Sequence, residues 1–289
     1  MNPHNYNEEM KQINVYYEES NSYDSIDEHF HYQHELIMVT EGCAEFVING
    51  KVHIVSKDSL VIIGDLEQHK IKALEYPYKR YVLSISNELC HLTIREPLLL
   101  SILLHRPKNF SHVIELTPKL SAEIKKHLDI LIDECEQKPE LWTTRAALYV
   151  TDILLLLYRD NAEVFPRNKD SGATQTVLKI QEYIAQNYGK EILLKDLAEK
   201  YYISEFYLSR LFKEVTGYGF KEYLILYRLN EAKKLLCSTD LSVTDICHAV
   251  GYSNVNHFIR IFRQYEGISP LKYRKKMLRC FSQSPGNSE

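Results

Sequence analysis

Two arginines fifty residues apart, Arg210 and Arg260, carry a side chain suited to reading base pairs. A guanidinium donates two parallel hydrogen bonds to guanine O6 and N7, and an asparagine amide pairs with adenine N6 and N7. Each good pairing discriminates against the wrong base by about 1–3 kcal/mol. Around Arg210, the residues Leu208, Leu211, Phe212 and Val215 repeat at three- and four-residue spacing. At about 100° per residue they share one helix face. Phe206, Arg210 and Lys213 then point the opposite way, flanked by Tyr207 and Ser209. Around Arg260, the residues Phe258, Ile261, Phe262 and Tyr265 point inward, and Asn256, Arg260 and Arg263 point outward, flanked by His257 and Ile259. Phe206 suits a thymine methyl group. Lys213 and Arg263 sit farther along their helices, where a cation meets phosphate and positions rather than specifies. Asn254 is a further candidate contact.

Each arginine helix follows a short helix and a tight turn. Asp196-Leu197-Ala198 leads to Ser204 in the first unit, and Asp245-Ile246-Cys247 leads to Ser253-Asn254 in the second. Ser204 is placed to N-cap its helix through the hydroxyl, and it joins the candidate contacts. One exposed arginine on an amphipathic helix is ordinarily just a solvated face. Equivalent outward trios in two repeated units favour the functional reading. Between the units, Phe220 to Leu236 reads as one helix, roughly 17 residues and about 25 Å long. Such a spacer suits two recognition helices about 34 Å apart, one turn of duplex.

Charge is divided unevenly. Residues 176–280 hold 17 Lys and Arg against 11 Asp and Glu, a net of +6, whereas the rest of the chain carries −10 within an overall −4. A basic end suits a polyanion and an acidic end does not. The six cysteines, Cys43, Cys90, Cys135, Cys237, Cys247 and Cys280, show no Cys-x-x-Cys spacing, so reduced thiols in a cytoplasmic protein are expected. The polar, acidic start is no signal peptide. The longest apolar run, residues 153–158, is far too short to cross a membrane.

The first half reads as β structure. Residues 1–25 are polar and predict a loose arm. Runs at 36–40, 44–48, 52–55, 58–63 and 81–85 predict strands, with a tight hairpin at Asn49-Gly50. Several short strands at this spacing indicate a barrel or sandwich. From 118 the period becomes helical. Leu120, Ile124, Leu128, Leu131 and Cys135 form one face behind Pro118, and a second helix runs from Leu141 to Tyr158. This pair either covers the barrel or forms a dimer seam. Phe165 to Gly172 reads as linker. The fold class expected is multidomain α+β, a β-barrel followed by helices and then an all-α domain. The boundaries are 1–117 for the barrel, 118–163 for the helical pair, 164–175 for the linker, 176–280 for the paired helix-turn-helix domain and 281–289 for a flexible tail.

Residues 176–278 resemble the DNA-binding domain of the AraC/XylS family of bacterial transcription regulators. The motifs are Leu197-Ala198-Glu199, Leu208-Ser209-Arg210-Leu211-Phe212-Lys213, Thr216-Gly217 and Arg228-Leu229-Asn230-Glu231-Ala232. They continue with Ala249-Val250-Gly251-Tyr252, Phe258-Ile259-Arg260-Ile261-Phe262 and Gly267-Ile268-Ser269-Pro270. The resemblance implies promoter duplex DNA and RNA polymerase as partners, a homodimer, and mostly activation. Ahead of it, His29-Phe-His31…Glu35…Gly42 resembles the first cupin motif, and His69 falls where the second has its histidine, although no Pro-x-Gly precedes it. Metal-dependent cupins use such residues to bind a divalent ion. In this regulator family the barrel more often acts as a sensor, so the expectation is no cofactor, no catalytic metal and no enzyme activity. His29, His31, Glu35 and His69 then stand as candidate ligand-binding residues. Tyr32 and Tyr81 are added as polar anchors for a small-molecule effector such as a sugar. Two rivals are a metal-dependent cupin enzyme with a DNA-binding tail, and a ligand-independent regulator whose barrel only dimerises.

Overall fold

Two long antiparallel strands, β3 (Gln33–Ile48) and β6 (His69–Ser86), organise the first half of the chain. The computed structural model describes residues 13–23, 25–31, 33–107, 110–166 and 171–282. Among the described residues it divides into two compact units, one of 13–175 with 211–218 and one of 176–210 with 219–282. The register of β3 on β6 shifts between Val39 and Ala44. There Gly42 holds φ +80°, and a Cβ would lie 2.5 Å from the Pro77 carbonyl oxygen, so glycine is required. The bulge reverses the phase of the pleat. Ile37 and Val39 face the core before it, and Ala44, Phe46 and Ile48 face the core after it. On β6 the core residues change likewise from Ile71 and Ala73 to Tyr78 and Val82.

The other strands attach to opposite halves of this pair. β1 (Ile13–Ser20) extends the far half of β6, β5 (Ser59–Ile63) pairs with the near half of β3, and β7 (Val113–Glu115) pairs with β5. β2 (Ser25–His29) joins the near half of β6, and β4 (Lys51–Ser56) the far half of β3. Ile37, Val61, Ile63 and Val82 thus meet Phe46, Ile48, Val55 and Ile71 across one core, and the sheet folds over itself as a barrel. The hairpin at Asn49-Gly50 has positive φ at both residues, 47° and 77°, as its sequence predicts.

Several expectations are corrected. The loose arm contains β1, with Ile13 and Val15 buried, because a period of two survives within its polar composition. The runs at 36–40 and 44–48 are one bulged strand, and 81–85 is the end of an 18-residue strand. Helices α1 (Asn87–Thr93) and α2 (Pro97–Leu104) stand where none is expected. The linker begins with Phe165, which is buried with its ring edge-on to Tyr158, and helix already starts at Ser171. The expected tail overlaps helix up to Ser282, and the rest of it lies outside the described residues.

The helical pair forms as its caps dictate. α3 (Pro118–Gln137) is N-capped by Thr117, whose hydroxyl accepts from Leu120 N–H, and ends at left-handed Lys138 before Pro139. It buries Leu120, Ile124, Leu128 and Leu131, and α4 (Trp142–Asp160) buries Ala146, Val150, Ile153, Leu154 and Leu157. Each fully buried Leu, Ile or Val contributes about 1.5–3 kcal/mol.

The second half is helical throughout, with α5 (Ser171–Asn187), α6 (Leu194–Lys200), α7 (Glu205–Thr216), α8 (Phe220–Ser238), α9 (Val243–Ala249), α10 (Val255–Glu266) and α11 (Pro270–Ser282). α8 runs 19 residues, about 28 Å, slightly beyond the expected spacer. It is buried on most sides, including Tyr223, Leu226, Leu229 and Leu236. Lys233 of α8 pairs with Glu266 of α10 at 3.0 Å, both largely buried. Two arginines tie off helix ends that sequence reasoning left unexplained. Arg228 donates to the carbonyls of Tyr188 and Lys190 at 2.8 and 2.7 Å, and Arg274 to those of Leu236 and Leu241 at 2.9 and 2.7 Å. No helix among the described residues is long and apolar enough to cross a membrane.

Candidate nucleic-acid interface and barrel site

The two helix-turn-helix units are built alike down to their hydrogen bonds. After α6, Tyr202 N–H donates to Glu199 and Ile203 N–H to Ala198. After α9, Gly251 N–H donates to His248 and Tyr252 N–H to Cys247. The offset is forty-nine residues through these turns and fifty from the caps onward, so the second turn is one residue longer. The first turn reaches positive φ with Tyr202 at 56°, and the second with Gly251 at 85°. Ser204 Oγ accepts from Tyr207 N–H at 3.2 Å, and Asn254 Oδ1 accepts from His257 N–H at 2.9 Å. Both candidates therefore act first as N-caps. Asn254 signals its cap in the sequence by preceding the apolar run.

α7 and α10 bury the sides expected of them. Leu208, Leu211, Phe212 and Val215 are buried on one, and Phe258 and Phe262 on the other, with Ile261 and Tyr265 half-buried. Phe206, Ser209, Arg210 and Lys213 are exposed, with Tyr207 half-buried. Asn256, His257, Arg260 and Arg263 are exposed as well. Phe206 is 81% exposed, a costly place for a phenylalanine without a partner surface. In each unit the arginine is steadied by a ring three residues earlier. Arg210 lies over Tyr207 at 5.7 Å, and Arg260 Nη2 donates to His257 Nδ1 at 3.2 Å. That pairing lowers the entropy the guanidinium would lose on contact with another molecule.

In the barrel, four of the candidate residues converge. His29 ends β2 and pairs in register with His69 of β6. One ring nitrogen each of His29, His31 and His69 lie within 4.8 Å of one another. Glu35 sits on β3 at the core-facing phase. Its Oε1 is 3.3 Å from His31 Nε2, its Oε2 is 3.6 Å from His69 Nε2, and Ser84 Oγ donates to it at 3.1 Å. His31 Nδ1 is 3.0 Å from the Gln33 carbonyl, and His69 Nδ1 is 2.9 Å from that of Glu67. A carbonyl only accepts, so each Nδ1 carries a proton and each Nε2 faces Glu35. Burial alone would push the Glu35 carboxyl up; His31 first, then His69 and His29, outweigh it and hold it well below the usual carboxylate range. Burial, then His31, pushes the His69 imidazole down.

Tyr81 does not join this group, which corrects its assignment as an anchor. It lies on the opposite face of β6 from Val82 and Ser84, and its hydroxyl donates to Asp129 of α3 at 2.6 Å. Tyr32 lies outside the described residues. A second buried group supports the first. Glu67 accepts from Gly64 N–H at 2.6 Å, Arg106 Nε at 3.1 Å and Asn49 Nδ2 at 3.2 Å, and it pairs with His112 Nε2 at 3.1 Å. Its own carbonyl receives His69.

Residues 13–138 match the AraC-like ligand binding domain, and residues 197–276 match a helix-turn-helix domain. The chain belongs to the AraC/XylS family of DNA-binding transcription regulators. The HTH-type transcriptional activator RhaS from Enterobacter sp. (strain 638) is 26% identical over 266 residues, covering 86% of this chain and 87% of RhaS. The regulator YijO from Escherichia coli (strain K12) is 37% identical over 110 residues, which is 38% of this chain and 39% of YijO. The fold is that of ToxT from Vibrio cholerae strain SCE256 in its unsaturated fatty acid bound form. That likeness has TM-score 0.62 at 13% identity and covers 92% of this chain and 96% of ToxT.

Within this AraC-family chain, sequence reasoning missed Ser84, Glu67, Arg106 and His112. Their partners are distant in sequence, so spacing carries no signal for them. Glu67 had one available hint, a carboxylate two residues before a candidate histidine.

Proposed function

We propose that the chain is a cytoplasmic, effector-responsive activator of transcription that binds promoter DNA through α7 and α10 and is not an enzyme. The carrying observation is the pair of exposed arginines, each held by a ring three residues earlier, at the same position of two repeated units. In this reading Arg210 and Arg260 donate to guanine edges, with Asn256 and Phe206 beside them, while Lys213 and Arg263 meet phosphates. The barrel takes a small polar effector such as a sugar near His29, His31, Glu35 and His69, and its occupancy shifts the population of states that bind DNA or RNA polymerase. The chain acts as a homodimer, with α3 and α4 as the seam. Leu148, 66% exposed on α4, supports that choice.

Footprinting of the full chain on the DNA upstream of its own gene tests the reading. Arg210→Ala and Arg260→Ala each weaken specific binding by about 5- to 150-fold and relax preference at one base pair. Unchanged footprints for both variants would remove them as base readers.

A further inference from the structure

α7 and α10 each end one residue before a left-handed glycine, Gly217 at φ 80° and Gly267 at φ 71°. Their last residues differ in kind. Thr216 closes α7, and its hydroxyl donates to the Phe212 carbonyl of the same helix at 2.8 Å. Glu266 closes α10 and reaches out of it, with Oε1 3.0 Å from Lys233 Nζ on α8. The two side chains are 11% and 10% exposed. Burial pushes the Lys233 ammonium down, and Glu266 opposes that shift. Removing two charges from water costs about as much as their attraction returns, so such a pair adds little stability. It does supply direction. Rings hold the rest of α10: Phe258 lies against Tyr252 at 5.4 Å, and Phe262 against Tyr273 of α11 at 5.6 Å. Apolar burial is non-directional and leaves the tilt about those rings loosely set. At 1.5 Å per residue, the point midway between Phe258 and Phe262 is about 9 Å from Glu266 and about 6 Å from Asn256. A shift of about 3 Å at Glu266, enough to part the ions, tilts the helix by about 20° and moves Asn256 by about 2 Å. The window of donor–acceptor distances for a hydrogen bond is only about 0.5 Å wide.

We propose that Lys233 and Glu266 are a positioning pair for base reading, which fixes the tilt of α10 on α8 and thereby sets the sequence preference at the base pair that Asn256 meets. Arg260 sits at the pivot and moves least, so its preference does not depend on the pair. The inference rests on α10 being a reader of DNA.

The test uses the full chain with both partners replaced together, Lys233→Met and Glu266→Met, because removing one alone leaves a buried charge unpaired. Residual dipolar couplings of the α8 and α10 amides give the angle between these helices without DNA. Base preference is read by titrating the duplex upstream of the chain's own gene with each base pair changed in turn. The expected result is a Tm at or above that of wild type and an angle changed by about 20° or averaged over that range. Discrimination falls about tenfold at the position that Asn256→Ala also relaxes. It is kept at the position relaxed by Arg260→Ala and throughout the half-site of the first unit. The reversed pair, Lys233→Glu with Glu266→Lys, restores both the angle and the preference. An unchanged angle overturns the inference whatever the chain does with DNA. So does a changed angle with discrimination kept at the Asn256 position, a loss spread evenly over both half-sites, or a double variant that melts well below wild type, since each leaves the pair a structural role at most. Asn256→Ala and Arg260→Ala chains that keep every base preference remove α10 as a reader and the inference with it, and the dipolar couplings tell that failure from the others.

Discussion

Glycine and tyrosine occupy the same positive-φ step of the two helix-turn-helix units, and exchanging their properties has opposite consequences. Gly251→Ala places a Cβ 2.7 Å from the Tyr188 carbonyl oxygen and 2.8 Å from Arg228 Nη2. The left-handed backbone costs an L-residue about 1–2 kcal/mol. Arg228 Nη2 must also give way, and the hydrogen bond it donates to the Lys190 carbonyl contributes about 1.5–3 kcal/mol as a charged donor. The loss is about 3–4 kcal/mol, which lowers the Tm of the helical unit by roughly 12–16 °C. Tyr202→Gly has the reverse sign. Tyr202 is 96% exposed, so no packing is lost, and relief of the left-handed strain exceeds glycine's entropic cost of about 0.5–1 kcal/mol. The expected gain is about 0.5 kcal/mol, or roughly 2 °C. Scanning calorimetry of the full chain resolves both shifts. A neutral Gly251→Ala, or a Tyr202→Gly that lowers Tm by several degrees, would refute the claim that the turns share one geometry with different residues.

Glu67→Ala leaves the buried Arg106 without its carboxylate and lowers barrel stability by about 3–5 kcal/mol, read by thermal unfolding followed in the β-sheet signal. Burial pushes the Glu67 carboxyl up, but Arg106, His112 and the Gly64 amide outweigh it, so its pKa is held below the ordinary 4.5. Its contribution is therefore complete above pH 4.5 and is lost as pH falls below that value, and the variant's stability curve flattens over that acidic range. Lys213→Ala and Arg263→Ala weaken binding to all duplexes alike and each reduce the salt slope of log K by about 0.9, measured by titrations across salt concentrations; a change in base preference would contradict their assignment to phosphates.

The helical half was legible because its periods are local. Leu208, Leu211 and Phe212 reveal their face at a spacing of three and four, and a repeat fifty residues on doubles that signal. The barrel was legible in kind but not in extent. A polar first segment masks β1, and the runs at 36–40 and 44–48 read as separate strands although Gly42 is a bulge that reverses the pleat of one continuing strand. That reversal determines which residues meet: Glu35 shares the core side with Ser84, while Tyr81 turns to Asp129. Residue type alone could not place Tyr81, because strand parity across a bulge depends on pairing with a distant strand. The histidines converge for the same reason, since the register of β2 on β6 brings His29 to His69. The caps at Ser204 and Asn254 are local, yet only backbone geometry separates a cap from a contact.

The affinity of the full chain for the duplex upstream of its own gene, set against random duplex of equal length at moderate salt, tests base reading by the paired units most directly. Specific binding by paired units predicts a ratio of about 10³ or more, collapsing when Arg210 and Arg260 are both replaced by alanine. Equal affinity for the two duplexes, or a ratio untouched by the double replacement, would contradict it.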